Sequence, residues 1–282
     1  MRFVRFAAPA GASLGVVQDD EVVDLGQTGI EALIAQGFDG AAAMVAKATT
    51  RHRLAGLDLL PPTRGAGKII CLGLNYIDHA AESGHKRPEY PVLFMRGATS
   101  LVAHGQPIQR PACSDKLDYE GELVAVVGKR ARHVSRADAL ACIAGYSIFN
   151  DASIRDYQLR TPQWTIGKNF DATGGYGPVF VTADELPPGA AGLKIQTRLN
   201  GQVLQEANTS DMIFGVAETV ALLTECLTLE PGDLLVMGTP SGVGGARNPQ
   251  VWMKPGDICE VEIEGIGTLS NPIAQEAAAR AA

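Results

Sequence analysis

The sequence predicts an α+β protein that is mainly β, with a small α/β domain at its N-terminus. From Lys68 onward, short runs rich in Val, Ile, Leu and Phe recur between glycine and proline turns, which is typical of strands. The Asn200-Gly201 pair between two such runs is a strong signal for a type I′ hairpin. Helical periodicity is confined to a few segments of the 282-residue chain, so strands are expected to form most of the fold.

Residues 1–66 are predicted to form the small N-terminal accessory domain, and residues 67–282 the larger domain. Two strand-like runs, MRFVRFA and SLGVVQDDEVVDL, precede a helical stretch from about Thr28 to Thr50. A linker rich in proline and glycine is expected to follow, at Pro61, Pro62, Gly65 and Gly67.

The larger domain is predicted to consist of many strands and a few helices. Its strand-like runs are KIICLGL, PVLFMR, ELVAVVG, AGYSIFN, GPVFVT, LKIQTRLNGQVLQ, DLLVMG and ICEVEIEGIGTLSNPI. Residues 212–227 have an amphipathic helical period with Asp211 near the cap position, and residues 135–142 predict a shorter helix capped by Ser135.

Composition argues against several classes of function. The apolar fraction of 46% and the charged fraction of 20% are ordinary globular values. A net charge of −7 argues against nucleic acid or an anionic membrane as a partner, and no apolar run approaches the roughly 18 residues of a membrane-spanning helix. The N-terminal stretch is a poor signal peptide and the five cysteines show no paired spacing, which favours reduced thiols in a cytoplasmic protein.

Two carboxylates stand at the start of the strand in LDYEGELVAVVGK, residues 117–129. Side chains two apart on a strand point to the same face, so Glu120 and Glu122 are expected to project side by side. An exposed acidic face, an acid–base pair that shares a proton and a cation site all fit this pattern.

A third carboxylate favours the cation site. The strand in AGYSIFNDASIRD runs directly into Asp151, which is well placed to meet Glu120 and Glu122. Three unpartnered carboxylates would repel one another, and a hard divalent cation such as Mg²⁺, Mn²⁺ or Ca²⁺ removes that repulsion. No cysteine or histidine belongs to the cluster, which argues against zinc.

Cationic and polar side chains follow the cluster along the chain. If ASIRDYQ forms a helical turn, Arg155 and Gln158 lie on the same side as Asp151. Lys168 stands between Gly167 and Asn169 in a glycine-rich stretch. Cations beside a metal usually face an anionic substrate, and solvated surface charge is the alternative for Arg155.

One histidine precedes the cluster in a suitable context for catalysis. His79 and Glu82 are three residues apart in a predicted short helix, so they are neighbours on one face. This arrangement suits a general base oriented by a carboxylate. An incidental pair on the surface is the alternative.

The glycine-rich run MGTPSGVGG, residues 237–245, lacks the G-K-[ST] ending of a phosphate-binding loop, so nucleotide binding is not expected. Thr239 stands at the end of the preceding strand, where its hydroxyl and nearby N–H groups could hold a carboxylate or carbonyl oxygen. A turn selected for its backbone geometry is an equal alternative.

Together these motifs resemble the fumarylacetoacetate hydrolase family over about residues 68–273. The segments that carry the resemblance are GLNYIDHAAE, LDYEGEL, FNDASIRDYQ, GKNFDATGGYGP, NTSDMIFGV and LEPGDLLVMGTPSGVG. The resemblance implies a mixed β-sheet roll, a homodimer and a small accessory domain of the kind that bacterial members carry.

The resemblance also implies a set of site residues and a cofactor. Mg²⁺ or Mn²⁺, with Ca²⁺ as a structural substitute, would be bound by Glu120, Glu122 and Asp151. His79 with Glu82 would activate water, and a 2-oxo acid would be the substrate. The positions that match substrate-facing residues of the family are Arg155, Gln158, Lys168 and Thr239, and Lys168 is also expected to assist catalysis.

Two positions depart from the family pattern. The founding fumarylacetoacetate enzymes have a further acidic ligand seven residues before the catalytic histidine, where this chain has Leu72. Many relatives have Lys-Pro where this chain has Met95-Arg96-Gly97. Arg96 is therefore expected either to address a second substrate carboxylate or to be solvated.

These residues favour hydrolysis of a carbon–carbon bond in a 2,4-dioxo acid through a metal-stabilised pyruvate enolate. Expected substrates are acylpyruvates such as fumarylpyruvate or maleylpyruvate from aromatic compound catabolism, or a 2,4-dioxo-3-deoxy sugar acid. Decarboxylation of oxaloacetate and isomerisation of a 2-oxo-diacid pass through a similar enolate and stay as alternatives. A third alternative is a non-catalytic, metal-stabilised binding protein.

Overall fold

The computed structural model describes residues 1–63 and 67–277. The strands of this part of the chain are β1 (Arg2–Ala8), β2 (Gly11–Gln18), β3 (Glu21–Asp24), β4 (Arg51–Arg53), β5 (Leu59–Leu60), β6 (Ile69–Gly73), β7 (Val92–Met95), β8 (Leu101–Ala103), β9 (Ile108–Arg110), β10 (Leu117–Asp118), β11 (Gly121–Val127), β12 (Ile143–Asp151), β13 (Ser153–Ile154), β14 (Gly174–Thr182), β15 (Lys194–Leu199), β16 (Gln202–Asn208), β17 (Leu234–Val236), β18 (Ile258–Ile263) and β19 (Gly267–Gln275). The α-helices are α1 (Ile30–Ala35), α2 (Ala41–Lys47), α3 (Ile77–Glu82), α4 (Arg155–Gln158), α5 (Thr165–Lys168) and α6 (Val216–Cys226).

These strands form two mixed sheets and one short ribbon. The main sheet has the strand order β4-β3-β2-β1-β14-β12-β11-β17-β6-β7, with β5 paired to β1 and β8 paired to β14. The second sheet has the order β16-β15-β18-β19-β9, and β10 pairs with β13. Antiparallel pairs predominate, but β17–β6, β14–β8 and β19–β9 are parallel. The mainly β prediction is confirmed.

The N-terminal strands extend the main sheet. Strand β1 pairs with β14, with Arg2 opposite Val181 and Phe3 opposite Phe180. Phe38 stacks on both phenylalanines of this register, at ring distances of 5.5 Å to Phe3 and 5.7 Å to Phe180. The division into domains after residue 66 stays a prediction, and Gly65 of the expected linker lies outside the described residues.

The helical stretch expected from about Thr28 to Thr50 contains two short helices. Helix α1 ends at Ala35 and α2 begins at Ala41. Between them Gly37 and Gly40 have φ of 63° and 85°, a left-handed conformation that ends helices and that glycine adopts without strain.

The helix expected over residues 212–227 begins later, at Val216. The backbone before it is bonded to the segment that leads into α3 instead, with Ile213 N donating to Asn75 O at 2.7 Å. Asp211 is the last residue of a preceding 3₁₀ turn, Thr209–Asp211, where its carboxylate accepts the N–H of the N-cap residue Asn208, and it does not cap α6.

Two other local predictions have different outcomes. Residues 135–142 contain only a 3₁₀ turn, Ala139–Cys142, although Ser135 Oγ does accept a hydrogen bond from Asp138 N. The predicted hairpin is present: Asn200 and Gly201 join β15 to β16 with φ of 50° and 79°.

The two faces of β11 are buried in different cores. Leu123, Ala125 and Val127 pack in the core that includes residues of the second sheet and α6. Val124 and Val126 point the other way, into a core that contains Phe94 and Phe149 among its aromatic residues. Strand alternation puts Glu122 on the same face as Val124 and Val126.

One edge of the main sheet gathers segments that are distant in sequence. Strands β6 and β17 are parallel, so their carboxyl ends meet there. Strand β11 is antiparallel to β17, which brings its first residues to the same edge, and β12 is antiparallel to β11, which brings its last residues there. Side chains from all four segments therefore converge at this edge.

No helix within the described ranges is long and apolar enough to cross a membrane. The five cysteines, all of which belong to those ranges, are free thiols.

Candidate active site

Three buried carboxylates lie together at this edge of the sheet. Glu120 immediately precedes β11, Glu122 is its second residue, and Asp151 ends β12. One oxygen of each lies within 4.8 Å of the others. A backbone hydrogen bond joins two of these acids directly, because Asp151 N donates to Glu120 O at 2.8 Å.

Glycine between the two glutamates lets the second sheet approach the site from behind. A Cβ at Gly121 would lie 2.2 Å from Thr197 Oγ1 and 2.9 Å from Val261 Cγ1. No real side chain tolerates such contacts, so the E-G-E sequence reflects close packing as well as the presentation of two acids.

Lys168 forms ion pairs with two of the three carboxylates. Its Nζ lies 2.5 Å from Glu120 Oε2 and 2.6 Å from Asp151 Oδ2. Burial raises the pKa of Glu120, but Lys168 and Arg155 outweigh that effect and lower the pKa to about 2. Burial likewise lowers the pKa of Lys168, while Asp151 and Glu120 raise it by more.

Glu122 differs from its neighbours because no cation pairs with it among the described residues. Its Oε2 accepts a hydrogen bond of 2.5 Å from Gly238 N. Burial raises the pKa of Glu122 well above its ordinary range, and the charges of Asp151 and Glu120 raise it further. Glu122 is therefore the member of the cluster whose ionised form lacks a balancing cation in the described ranges.

This donor set fits a hard divalent cation. Its members offer only carboxylate oxygen, which suits Mg²⁺ and Mn²⁺ better than zinc. A cation shared by Glu120, Glu122 and Asp151 would also supply the positive charge that Glu122 lacks. The Glu–Glu–Asp group thus has the chemistry of a divalent-metal site.

Arg96 is neither solvated nor directed at a substrate, so both expectations for it are wrong. Its side chain is fully buried, and its guanidinium binds Asp151 Oδ1 through Nη1 and Thr173 Oγ1 through Nη2. Nε donates to Ser100 Oγ at 3.2 Å. Arg96 and Lys168 therefore hold the two oxygens of Asp151 from opposite sides.

Replacing Arg96 with Met is expected to destabilise the protein by about 3–5 kcal/mol, because the substitution leaves one oxygen of a buried carboxylate without its cation. Urea unfolding in the presence of a chelator measures this loss. Arg130→Met, which removes a pair with Glu230 on the surface, is the control and should change stability little. Equal effects of the two substitutions would contradict this role.

Arg155 is engaged by protein groups on all three nitrogens. Nε donates to Asp118 Oδ2 and Nη1 to Gln158 Oε1, both at 2.8 Å, and Nη2 forms an ion pair with Glu120 Oε1 at 2.7 Å. The side chain of Arg155 is 12% exposed, so it is not a solvated surface charge. The substrate-facing roles of Arg155 and Gln158 stay predictions.

Thr239 is also buried and bonded within the protein. Its Oγ1 donates to Gly121 O at 3.0 Å and accepts from Gln205 Nε2 at 2.8 Å. Gln205 Oε1 in turn accepts from Gly121 N at 3.1 Å. Thr239 thereby fixes the backbone between the two glutamates, and a role in binding substrate stays a prediction.

His79 and Glu82 form a dyad on helix α3. Nδ1 of His79 lies 2.8 Å from Glu82 Oε1, and Glu82 also accepts the N–H of Gly242. His79 is only 7% exposed, so this is not an incidental surface pair. A carboxylate partner places the proton on Nδ1 and leaves Nε2 able to accept a proton.

Two members of the carboxylate cluster and both residues of the dyad line one cavity of about 360 Å³. Glu120, Glu122, Lys168, His79 and Glu82 all line it. Its apolar walls come from aromatic and aliphatic side chains, mainly Leu72, Phe94, Leu159, Trp164 and Trp252. Leu72, in the place of the extra acidic ligand, therefore contributes apolar wall.

Sequence reasoning missed Asp118 and Asn75, which support the site from within the protein. Asp118 lies two residues before Glu120 in LDYEGEL, a spacing that signals the same face of the strand. Asn75 binds Met237 O and both backbone groups of Phe214, which ties the start of α3 to the end of β17. No local pattern signals Asn75.

The fold and the site define a class of mainly β proteins that bury a three-carboxylate group suited to a divalent cation. Residues 68–274 match the family model of the C-terminal domain of fumarylacetoacetate hydrolase. The chain belongs to the fumarylacetoacetate hydrolase family, which is a family of enzymes.

Comparison with known proteins identifies similar members of this family. The chain is 38% identical to a mitochondrial oxaloacetate tautomerase of Xenopus laevis, over 77% of this chain and 68% of that protein. A fumarylacetoacetate hydrolase structure from Exiguobacterium antarcticum superposes with a TM-score of 0.87 at 34% identity, over 98% of this chain and 100% of that one. A maleylpyruvate hydrolase from Sphingobium sp. SYK-6 has a TM-score of 0.81 at 27% identity, with the same coverage.

Proposed function

We propose that the protein is a divalent-metal-dependent hydrolase that cleaves a carbon–carbon bond in a 2,4-dioxo acid. The substrate is an acylpyruvate, such as fumarylpyruvate or maleylpyruvate, or a 2,4-dioxo-3-deoxy sugar acid. The observation that carries this proposal is the position of the His79–Glu82 dyad, which lines the same cavity as Glu120 and Glu122 of the carboxylate cluster. A base for water and a site for a metal-bound 2-oxo acid are the two requirements of this reaction.

Mg²⁺ or Mn²⁺ held by Glu120, Glu122 and Asp151 would bind the carboxylate and keto oxygens of the substrate and stabilise negative charge on an enolate. His79 takes a proton from water, and Glu82 stabilises the imidazolium. The water oxygen attacks the C4 carbonyl, and the C3–C4 bond breaks. The products are a carboxylic acid and the enolate of pyruvate, which is protonated at C3 to give pyruvate.

In this proposal the remaining residues add positive charge to the site or orient the substrate. Lys168 adds positive potential while it holds Glu120 and Asp151 in place. Gln158 accepts from Arg155 through its oxygen, so its amide N–H groups are available to orient the substrate carboxylate. Arg155 and Thr239 complete this wall of the cavity.

A second candidate is keto–enol tautomerisation of oxaloacetate. The names of the relatives at 38% identity favour it, since they include oxaloacetate tautomerases from Xenopus laevis and human. The same residues support it, because His79 could move a proton at C3 without water while the enolate is stabilised at the carboxylate cluster.

We also propose that the protein is a homodimer in the cytoplasm, as the family resemblance implies. Exposed apolar side chains on the edge strand β7, Leu93 and Met95, support an association between chains. Light scattering measures the assembly directly.

A substrate panel tests the function. Acylpyruvates, sugar-derived 2,4-dioxo acids and oxaloacetate are incubated with the protein and Mg²⁺ or Mn²⁺, and pyruvate, CO₂ and enol content are measured. We expect metal-dependent release of pyruvate from a 2,4-dioxo acid, and none in chelator. Interconversion of oxaloacetate without cleavage of any dioxo acid would favour the tautomerase, and CO₂ release a decarboxylase. Thermal stabilisation by metal without turnover would indicate a binding protein.

A further inference from the structure

The glycine-rich segment 238–245, here the glycine loop, binds carboxylates of the protein itself. Four of its backbone N–H groups donate to three acidic side chains, with distances between 2.5 and 3.0 Å. The pairs are Gly238 with Glu122, Gly242 with Glu82, Gly244 with Asp118 Oδ1 and Gly245 with Asp118 Oδ2. The loop therefore contacts a member of the metal cluster, a member of the dyad and a third acid outside both.

Glycine is required at these positions because the chain passes so close to its neighbours. Gly242 has a φ of 100°, and a Cβ there would lie 2.2 Å from Leu204 O. A Cβ at Gly244 would lie 1.9 Å from Val251 O and 2.7 Å from Asp118 Oδ1. A side chain would thus push the N–H groups away from the carboxylates that they bind.

Asp118 is the central acid of this arrangement. It is completely buried, and each of its oxygens accepts two hydrogen bonds. Oδ1 accepts from Tyr119 N and Gly244 N, and Oδ2 accepts from Gly245 N and Arg155 Nε, all between 2.7 and 2.9 Å. Arg155 in turn forms an ion pair with Glu120.

We propose that Asp118 is a positioning residue that links the His79–Glu82 dyad to the carboxylate cluster. Through the glycine loop it fixes Gly242, which orients Glu82 and so His79. Through Arg155 it fixes Glu120. Asp118 touches neither dyad nor cluster directly, so it acts through these partners. Its effect on turnover rests on the proposed function, whereas its effect on metal binding does not.

The test is Asp118→Asn in the full-length protein. An amide has one acceptor oxygen, so its NH₂ group must face two of the four donors. We expect Mn²⁺ affinity, measured by calorimetric titration, to fall by about 10-fold, and kcat on the best substrate of the panel by about 100-fold, with a smaller change in KM. If no substrate is turned over, the proposed function fails while the Mn²⁺ titration still decides the role of Asp118.

Asp233→Asn is the matched control. Asp233 is also completely buried, accepts the N–H groups of Lys68 and Glu230, and pairs with the Lys68 ammonium at 2.7 Å. Asp233 precedes β17, whereas the glycine loop follows that strand. Asp233 does not line the cavity. It should lose stability as Asp118→Asn does, but keep the Mn²⁺ affinity and kcat of the wild type.

A double-mutant cycle separates positioning from general destabilisation. If Asp118 acts through Glu82, the loss of kcat in Asp118→Asn with Glu82→Gln should be much smaller than the product of the single losses. The cycle of Asp233→Asn with Glu82→Gln should be multiplicative. Multiplicative losses in both cycles, or equal Mn²⁺ affinities of the two Asp variants, would overturn the proposal.

Gly245→Ala is the second variant, in case Asp118→Asn does not fold. A Cβ there would lie 3.2 Å from Asp118 Oδ2 and 3.3 Å from the Trp252 ring, which requires a shift of a few tenths of an ångström. We expect a folded protein with reduced Mn²⁺ affinity and kcat. Wild-type values for both would contradict the proposal.

Discussion

Glu122→Gln is expected to abolish the binding of divalent cations while it stabilises the metal-free protein. Glu122 has no cationic partner within the described part of the chain, and burial, Asp151 and Glu120 all raise its pKa. Glutamine removes the repelled charge and keeps an oxygen that can accept the hydrogen bond from Gly238 N. It is a poor ligand for Mg²⁺ or Mn²⁺ in a three-carboxylate site, so metal-dependent turnover should fall at least 1,000-fold, an order-of-magnitude estimate for the loss of Lewis-acid stabilisation.

The stabilisation of the metal-free protein by Glu122→Gln should increase with pH. A carboxyl group whose pKa is raised in the folded state does not change the free energy of unfolding below its unfolded pKa of about 4.3. As the pH rises from there toward the folded pKa, the group lowers the free energy of unfolding progressively more. In chelator, the stability gained by Glu122→Gln should therefore be small near pH 4 and increase with pH.

Thermal denaturation with and without Mn²⁺ measures both effects. Glu262→Gln is the control, because Glu262 is an exposed glutamate paired with Arg198, and it should leave the Mn²⁺-induced shift in Tm intact. Retention of that shift by Glu122→Gln, or destabilisation of this variant in chelator, would contradict the assignment of Glu122.

His79→Gln is expected to lower the rate of hydrolysis by about 10²–10⁴-fold without changing metal affinity. Glutamine can still hydrogen-bond to Glu82, but it cannot accept a proton from water. His79 lies on α3, outside the carboxylate cluster, so calorimetric titration should give the Mn²⁺ affinity of the wild type. His133→Gln, at an exposed histidine that does not line the cavity, should behave as the wild type in both measurements.

The same variant separates the possible reactions. Decarboxylation of oxaloacetate needs no activated water, so His79→Gln should affect any such activity less than hydrolysis of an acylpyruvate. Equal losses in the two reactions would show that His79 has no specific role in activating water, and would favour direct proton transfer at carbon.

Local sequence patterns predicted the elements whose conformation depends mainly on residues that are close in the chain. The Asn200-Gly201 turn and the long strands β11, β12 and β14 follow from turn chemistry and apolar runs. The three-residue strand β8 was missed because it is short and pairs in parallel with β14, which is distant in sequence. The break between α1 and α2 did have a signal, in Gly37 and Gly40.

The sequence predicted those residues of the candidate site whose spacing places them on one face of a strand or a helix. Glu120 and Glu122 share a strand face, and His79 and Glu82 a helix face. Arg96 gives no such signal, because its partner Asp151 lies 55 residues away in the chain. The spacing of Asp118 from Glu120 is a signal, but it does not reveal the partner Arg155, which lies 37 residues away. The strand order of the main sheet brings Arg96 to Asp151, and the pairing of β10 with β13 brings Asp118 to Arg155. Neither strand pairing can be read from local pattern.

Crystals grown with Mn²⁺ would test the central claim most directly, through an anomalous difference map recorded at the manganese edge. We expect one peak per chain, at about 2.0–2.6 Å from an oxygen of each of Glu120, Glu122 and Asp151. A map with no peak there, or with manganese bound elsewhere in the cavity, would contradict the claim that these three carboxylates share one ion.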